Sequence, residues 1–257
     1  MIYRYDMSDK LNKLSEALES NIPTTKVKIS DGREITIRSM IVGELKLLLL
    51  AMEGESKSGE WYDTLQEIVN KCIKDDVKAE DLPTGDLELI YINIHMLSKG
   101  KSIIPVKYIC EEEIENDDDF EICGGEMKVK LDLKKAYLSE ATIDNVIKVN
   151  DRVAIKLRRP VAKEQIYYDA DTTEDMFNLS CRCIQSITID DEELVAGQDF
   201  DYEKLASFFD YFDSDTFEKM ADYINDTPLL TYPIAMQCPK CGKKHSIVLK
   251  GLADFFE

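Results

Sequence analysis

The segment "CPKCGKKH", residues 238–245, places two cysteines three positions apart close to the end of the 257-residue sequence. A Cys-x-x-Cys turn followed by glycine is typical of one half of a structural zinc site, which takes four ligands in a tetrahedron. Two thiolates leave such a site incomplete. The other half must come from elsewhere in the chain, and its position decides how the chain folds.

A second segment in the middle of the chain repeats this pattern. Both units place a proline five residues before a first cysteine, and both follow a second cysteine with glycine and an apolar alternation: "PVKYIC" (105–110) with "CGGEMKVKL" (123–131), and "PIAMQC" (233–238) with "CGKKHSIVL" (241–249). Each unit predicts a strand, a cysteine-bearing turn with glycine, and a returning strand, which is the plan of a zinc ribbon. The expected ligands of one structural zinc are Cys110, Cys123, Cys238 and Cys241.

The two units differ in the spacing of their cysteines. Twelve residues, "EEEIENDDDFEI" (111–122), separate Cys110 from Cys123, whereas two separate Cys238 from Cys241. Because the entropy of loop closure grows slowly with length, the longer loop costs only about 1 to 2 kcal/mol and is compatible with a shared site. The alternative is that Cys110 and Cys123 are ordinary thiols at strand ends and the terminal pair is a weak or vestigial knuckle. In both cases the role is structural, since four thiolates leave no open position for a substrate.

Other histidines and cysteines fit a metal site less well. His245 is an alternative fourth ligand, although a residue at that place more often lies on the returning strand. His95 lies in an apolar helical pattern without a second histidine nearby and is expected to be packed or at the surface. Cys181 and Cys183 stand two apart on a predicted helix and point about 200° apart, so they cannot both reach one metal. Cys72 belongs to an apolar helix face and is expected in the core.

The composition excludes several classes of function. The 51 acidic residues outnumber the 32 basic ones, and a net charge of -19 repels a nucleic-acid backbone. The start of the chain lacks the pattern of a signal peptide, and its longest apolar stretch, "LKLLLLAM" (45–52), is far shorter than a membrane span. We therefore expect a cytoplasm-like compartment, where the seven cysteines act as thiols or metal ligands and not as disulfides.

No pattern in the sequence points to catalysis. It has no glycine-rich phosphate loop and no nucleophile elbow, and its two histidines stand near no candidate nucleophile, so we expect neither an enzyme nor a small-molecule substrate. The acidic run 111–121 lacks the alternating ligands and central glycine of an EF-hand. It is expected to form a solvated, mobile finger, or else to dock on a basic partner.

Hydrophobic periodicity predicts the elements in chain order. A short helix with Ser8 as cap precedes a hairpin around Asp31-Gly32. Apolar residues at helical spacing predict helices over 42–53, 60–74, 85–98, 172–187, 202–212 and 214–225, the last with a capping box at Asp215 and Glu218. Alternating patterns predict strands over 103–110, 126–133 and 152–160, and a tight hairpin over 187–195 with Asp190 and Asp191 at its turn.

These elements predict an α+β fold of helical layers with short β-hairpins and a central zinc-ribbon-like module. The predicted parts are an N-terminal hairpin and helical region, a β-rich four-cysteine module built from two distant segments, and a C-terminal helical region: residues 1–100, residues 101–160 with 228–257, and residues 161–227.

Several blocks of the sequence resemble a known family. "IPTTKVKISDGREITIRSMIVGELKLLL" (22–49) and "CIKDDVKAEDLPTGDLELIYINIHMLSKG" (72–100) are followed in order by "VKLDL", "IKLRRP" and the terminal cysteine pair. This order is similar to that in the baseplate hub subunits and hub assembly proteins of T-even and related contractile-tailed bacteriophages. The resemblance covers nearly the whole chain, and the order of the blocks carries most of its weight.

The resemblance implies a structural or assembly role in a tail baseplate hub, with other hub and tail proteins as partners. It implies a place in the virion tail baseplate after assembly in the host cytoplasm, and it is compatible both with a permanent subunit and with a factor that leaves. Two alternatives remain from the residues alone. One is a zinc-ribbon adaptor for host transcription or replication proteins, and the other is a metal-dependent hydrolase, which requires an open coordination position.

Overall fold

The computed structural model describes residue 14 and residues 17–53, 58–116, 119–165 and 172–256. The fold mixes helices with several small antiparallel sheets, as predicted at this level. Ser8, expected to cap the first helix, lies outside the described residues, as do residues 117–118 in the acidic run. Among the described residues, no helix combines the length and apolar character that crossing a bilayer requires.

The first third of the chain, where it is described, packs helices against a hairpin. Its elements are β1 (Thr24–Lys28), β2 (Glu34–Arg38), α1 (Val42–Glu53), α2 (Ser58–Cys72) and α3 (Thr84–Lys99). The hairpin pairs Thr24 with Arg38, and its turn places Gly32 at a φ of +89°, which confirms the predicted turn. The predicted apolar face of α2 is buried, from Leu65 to Cys72.

The middle of the chain contains two nested hairpins. Its strands are β3 (Ile103–Ile109), β4 (Glu113–Asn116), β5 (Asp119–Ile122), β6 (Glu126–Asp132) and β7 (Tyr137–Leu138). β3 pairs with β6 and β4 pairs with β5. The acidic run, expected to be a solvated, mobile finger, forms paired antiparallel strands over 113–116 and 119–122, because Ile114, Phe120 and Ile122 alternate with its acidic residues and match the strand period.

The next segment forms a separate layer of sheet and helices. Its elements are β8 (Val146–Lys148), β9 (Val153–Leu157), α4 (Ala162–Gln165), α5 (Thr173–Arg182), β10 (Ile184–Ile189), β11 (Glu192–Val195), α6 (Tyr202–Phe209) and α7 (Ser214–Asn225). The sheet order is β11-β10-β9-β8. The predicted turn of the β10–β11 hairpin is confirmed, with Asp190 at a φ of 48° and Asp191 at 70°.

Two predictions in this segment were wrong. The predicted helix over 172–187 ends at Arg182, because the β-branched alternation "IQSITI" (184–189) pairs with β9 instead. The cap of α7 is Asp213, whose side chain accepts the amide N–H of Thr216 at 2.8 Å, and not a capping box at Asp215 and Glu218.

The C-terminal segment returns to the first core. It consists of β12 (Leu230–Gln237), β13 (Lys244–Lys250) and α8 (Ala253–Phe256), and β12 pairs with both β13 and β7. Leu230, Leu249 and Phe255 are buried among the side chains of the first third, as is Ala162 of α4. Buried residues of β8, β9, α5, β10, α6 and α7 form a second cluster. The division into residues 1–100, 101–160 with 228–257, and 161–227 remains a prediction.

One strand-to-helix corner occurs twice. Arg38 forms a fork with Glu44, with Nη1 to Oε2 at 3.2 Å and Nη2 to Oε1 at 3.0 Å. Arg158 forms the same fork with Glu164, at 2.8 and 2.6 Å. In each copy the arginine also donates to the carbonyl of the next residue, and the glutamate accepts the amide of the third residue before it. This repeat was not predicted from the sequence.

Candidate metal centre

The two cysteine-bearing hairpins bring four thiols to one point. Cys110 follows β3, Cys123 shortly precedes β6, and Cys238 and Cys241 form the turn between β12 and β13. Their Sγ atoms all lie within 4.8 Å of one another. Cys110, Cys123 and Cys238 are buried and Cys241 reaches the surface. The residues singled out from the sequence are therefore neighbours in space.

Two of the distances between the sulfurs are close to those of a tetrahedral metal site. Cys110 Sγ lies 3.7 Å from Cys241 Sγ, and Cys123 Sγ lies 3.6 Å from Cys238 Sγ. Four sulfurs bound to zinc at about 2.3 Å stand about 3.8 Å apart in a regular tetrahedron, whereas a disulfide requires about 2.05 Å. The cysteines are free thiols with the spacing of metal ligands.

Backbone amides point at three of these sulfurs. The amides of Cys241 and Lys240 donate to Cys238 Sγ and lower the pKa of that thiol to about 6 against the opposing effect of burial. Cys110 Sγ accepts the amide of Glu112, and Cys123 Sγ accepts the amide of Gly125. Burial dominates at those two thiols and raises the pKa of Cys110 to about 12. A cation bound between the sulfurs would favour their thiolate forms and release protons.

The two turns have the same backbone hydrogen bonds. The amide of Gly124 donates to the carbonyl of Cys110, and the amide of Gly242 donates to that of Cys238, both at 2.9 Å. Gly124 and Gly242 have φ angles of +63° and +76°, as the glycine after each second cysteine was expected to have. The two halves of the site are related by this repeated geometry.

The acidic hairpin is an insertion that leaves this geometry unchanged. The amide of Cys123 donates to the carbonyl of Glu112 at 2.8 Å, which closes the base of the β4–β5 hairpin. Glu112 in the first turn therefore corresponds to Lys240 in the second turn, and Cys123 corresponds to Cys241. The twelve residues between the first two cysteines are no obstacle to a shared site, because ten of them, 113–122, fold back on themselves.

The space around the sulfurs requires a second glycine in the first turn. A Cβ on Gly125 would lie 2.5 Å from Cys238 Sγ and 3.4 Å from Cys123 Sγ, so a larger residue would overlap the cluster. This residue was not identified from the sequence, although the Gly-Gly pair at 124–125 was a signal of it. Lys240 adds a cation beside the cluster, since its Nζ donates to the carbonyl of Cys123 at 2.5 Å.

His245 stands beside the cluster and not within it. Its Nε2 lies 3.3 Å from Cys110 Sγ, which places the ring to donate a hydrogen bond to that sulfur in the Nε2-protonated tautomer. Hydrogen bonds of this kind orient a ligand and tune its charge without contacting the metal. The ligand atoms that lie within 4.8 Å of one another come from the four cysteines, and His245 is outside this group.

The remaining candidates lie elsewhere. Cys72 is buried in the first core, as predicted, and Cys181 and Cys183 are buried in the second. Cys183 follows the end of α5 instead of lying within a longer helix. His95 is half-buried next to Tyr91, with ring centroids 6.3 Å apart, and burial lowers the pKa of its imidazole.

The chain is a mixed α/β protein with four clustered cysteines, and sequence comparison identifies its family. The model of the family described as T4 bacteriophage base plate protein matches residues 21–257, and the chain belongs to that family. It is 26% identical over 196 residues to the baseplate hub assembly protein gp26 of Enterobacteria phage T4, an alignment that covers 76% of this chain and 82% of gp26. No solved structure gives a significant match. The predicted family resemblance is confirmed, and the host-adaptor alternative gains no support.

Proposed function

We propose that the chain is a non-enzymatic structural or assembly component of a bacteriophage tail baseplate hub, stabilised by one structural zinc. Membership of the baseplate family and the similarity to a hub assembly protein support the first part. The convergence of Cys110, Cys123, Cys238 and Cys241 supports the second, and it is the single observation on which the zinc proposal rests. The partners would be other hub and tail proteins, met during assembly in the host cytoplasm. The chain would act at the tail baseplate, either as a permanent subunit of the virion or as a factor that leaves.

The donor set selects the metal. Four thiolates in a tetrahedron are typical of zinc or of iron–sulfur centres, and zinc is the usual occupant of a structural site built from two cysteine-bearing turns. A zinc ion there would form four bonds that join elements distant in sequence. Because it would have no open coordination position, it would catalyse no reaction. This absence of an open position argues against the hydrolase alternative. It also supports a role in assembly and not in turnover.

The zinc would act as a clamp on segments that already touch. Cys110 and Cys241 are 131 positions apart, and the strands that carry the four cysteines also place Tyr108, Val129 and Ile247 against the first core. The proposed four-cysteine module, residues 101–160 with 228–257, would thus be tied together at one end by the metal and at the other by apolar packing.

The first experiment measures metal and stability in a ligand variant. Cys241→Ser is the most informative change because Cys241 is exposed, so the variant removes a ligand without burying a hydroxyl group. We expect wild-type protein to contain one zinc per chain, and the variant to lose it and to melt at a lower temperature. Cys181→Ser alters a buried thiol outside the cluster and should retain one zinc.

Two results would count against the zinc proposal. One is wild-type protein, purified without chelators, that contains no stoichiometric transition metal. The other is a Cys241→Ser protein that keeps its full zinc content.

The baseplate proposal is tested separately, by counting this chain in purified virions and in tail intermediates from infected cells. Presence in intermediates but not in virions would identify an assembly factor, and absence from both would refute the proposal.

A further inference from the structure

An apolar cleft lies in the second core, away from the cysteine cluster. It has a volume of about 400 Å³ and opens between the β-sheet and helix α6. Val153, Ile187, Ile189 and Leu194 form the sheet wall. We call this feature the β10–α6 cleft.

Aromatic side chains form the opposite wall and remain exposed. Phe208 is 62% exposed and Tyr211 is 85% exposed, although both line the cleft. Large aromatic side chains next to an apolar cleft are the residues that most often dominate binding at protein interfaces. The cleft is therefore an apolar surface with the composition of a binding site.

The helix that carries the aromatic wall is anchored to the second core by ring contacts. The buried ring of Phe209 makes edge-to-face contacts with Phe177, Phe212 and Phe217, at centroid distances of 6.0, 5.7 and 6.3 Å. These contacts hold α6 and the turn that follows it against the second core. Because this backbone is already ordered, binding has only the exposed side chains of the wall to order.

The rim of the cleft is strongly acidic. Exposed carboxylates adjoin lining residues in the sequence: Asp190, Asp191 and Glu192 stand between Ile189 and Leu194, Glu203 precedes Lys204, and Asp210 precedes Tyr211. Asp190 is paired with Arg152, and the other four carboxylates outnumber the one cation of the lining. Lys204 is the one cationic side chain among the residues that line the cleft, and its Nζ lies 3.4 Å from Asp201. An apolar floor with a negative rim is complementary to apolar side chains flanked by lysine or arginine.

We propose that the β10–α6 cleft binds a cationic amphipathic segment of another protein, with the apolar face of that segment between Phe208 and Tyr211 and its basic residues over the acidic rim. A second copy of this chain fits poorly, because each copy carries a net charge of -19 and both rims would repel. An anionic membrane surface fits poorly for the same reason. Laying an amphipathic helix in a groove is a common mode of peptide recognition.

This inference does not rest on the metal centre or on the proposed baseplate role. The test uses the full chain and three labelled peptides made of leucine with a charged residue. The first has leucine on one helix face and lysine on the other, the second has the same pattern with glutamate, and the third is a scrambled leucine–lysine peptide without an apolar face. Binding is measured by fluorescence anisotropy at low and moderate salt.

We expect the amphipathic leucine–lysine peptide to bind, and to bind more tightly than both the glutamate and scrambled peptides. Phe208→Ala and Tyr211→Ala should each weaken its binding by about tenfold or more. The control is Phe120→Ala, which removes a phenylalanine that is 69% exposed and also lies between acidic residues, but on the β4–β5 hairpin. This control should bind like the wild type.

The position of the bound peptide is measured by amide hydrogen exchange. Protection is expected in residues 187–194 and 205–212 and not in residues 113–122. The inference is overturned if the amphipathic peptide fails to bind, if it binds no better than its scrambled form, if the Phe120 variant loses as much affinity as the Phe208 variant, or if protection appears elsewhere. Self-association of the wild type that the Phe208 variant abolishes would also overturn it. Repeating the titration with Cys241→Ser separates the two proposals, because loss of zinc should leave peptide binding in place.

Discussion

Gly125→Ala tests whether the four sulfurs are held at fixed positions by a metal. An added Cβ would lie 2.5 Å from Cys238 Sγ and 3.0 Å from Lys240 Cβ. Because ordinary contact distances are about 3.5 to 4 Å, the sulfur or the backbone must move by about 1 Å. Overpacking of this size costs about 1 to 3 kcal/mol of unfolding free energy. In a chain of this length, each kcal/mol corresponds to about 2 to 4 °C in the melting temperature.

The same argument predicts a dependence on the metal. In zinc-loaded protein, Cys238 Sγ would be fixed by its bond to the ion, so the alanine must distort the centre and weaken zinc binding. After chelation the thiol can rotate away, and the loss of stability should be smaller. Since a ligand that binds only the folded state stabilises in proportion to the logarithm of its affinity, weaker zinc binding appears directly as lost stability.

The assay is urea unfolding of wild type and variant, each with zinc and with a chelator, together with zinc affinity from competition with a chromophoric chelator. Gly43→Ala is the matched control, since a Cβ there meets no atom within 4 Å and the residue lies in helix α1. It should stabilise the protein by about 0.5 to 1 kcal/mol with or without zinc. An equal loss from Gly125→Ala in the presence and absence of metal would refute the reasoning.

Three further outcomes are expected. Removal of residues 113–122 joins Glu112 to Cys123 and recreates a Cys-x-x-Cys turn, so the shortened chain should still bind one zinc per chain by elemental analysis. Arg158→Lys should destabilise the protein by about 1 to 2 kcal/mol in urea unfolding, because lysine cannot form the fork to Glu164; Arg152→Lys, at an exposed pair, should have little effect. Burial raises the pKa of Glu88. Its contribution to native stability is therefore greatest below the unfolded pKa of about 4.3 and is lost as the pH rises through the folded pKa. Glu88→Gln should flatten this pH dependence, which is measured by urea unfolding midpoints across the acidic range.

The cysteine cluster was predictable because its signal is local and occurs twice. Each unit carries its own proline, cysteines and glycine, and two half-sites with unsatisfied ligands imply each other. The position of Ser214–Asn225 was predictable for a related reason, since its apolar stripe lies within one helix. The pairing of β12 with β7 was not predictable, because it depends on contacts across the whole chain.

The wrong end of the predicted helix and the unpredicted arginine forks also have physical causes. In residues 172–187 a real helix runs directly into a strand, and the apolar spacing of the helix continues for a few residues into "IQSITI". Only the pairing of Ile187 with Ile155 in β9 decides that the last part is extended. The forks of Arg38 and Arg158 were missed because their partners stand six positions away, a spacing that matches neither a helix face nor a strand.

Because the metal centre and the β10–α6 cleft lie at different cores, the effect of losing zinc can be measured separately at each of them. The cysteines sit at the ends of strands whose other side chains belong to the first core, whereas the cleft is built on the second. Loss of zinc would therefore leave strands β12 and β13 held by Leu230, Ile234 and Leu249, so the chain should lose order around the cysteines before it unfolds as a whole. Hydrogen exchange after chelation should show this difference: faster exchange near residues 110–125 and 238–243, with residues 184–195 unchanged. Equal acceleration in both regions would mean that the metal supports the entire fold and that the two cores unfold together.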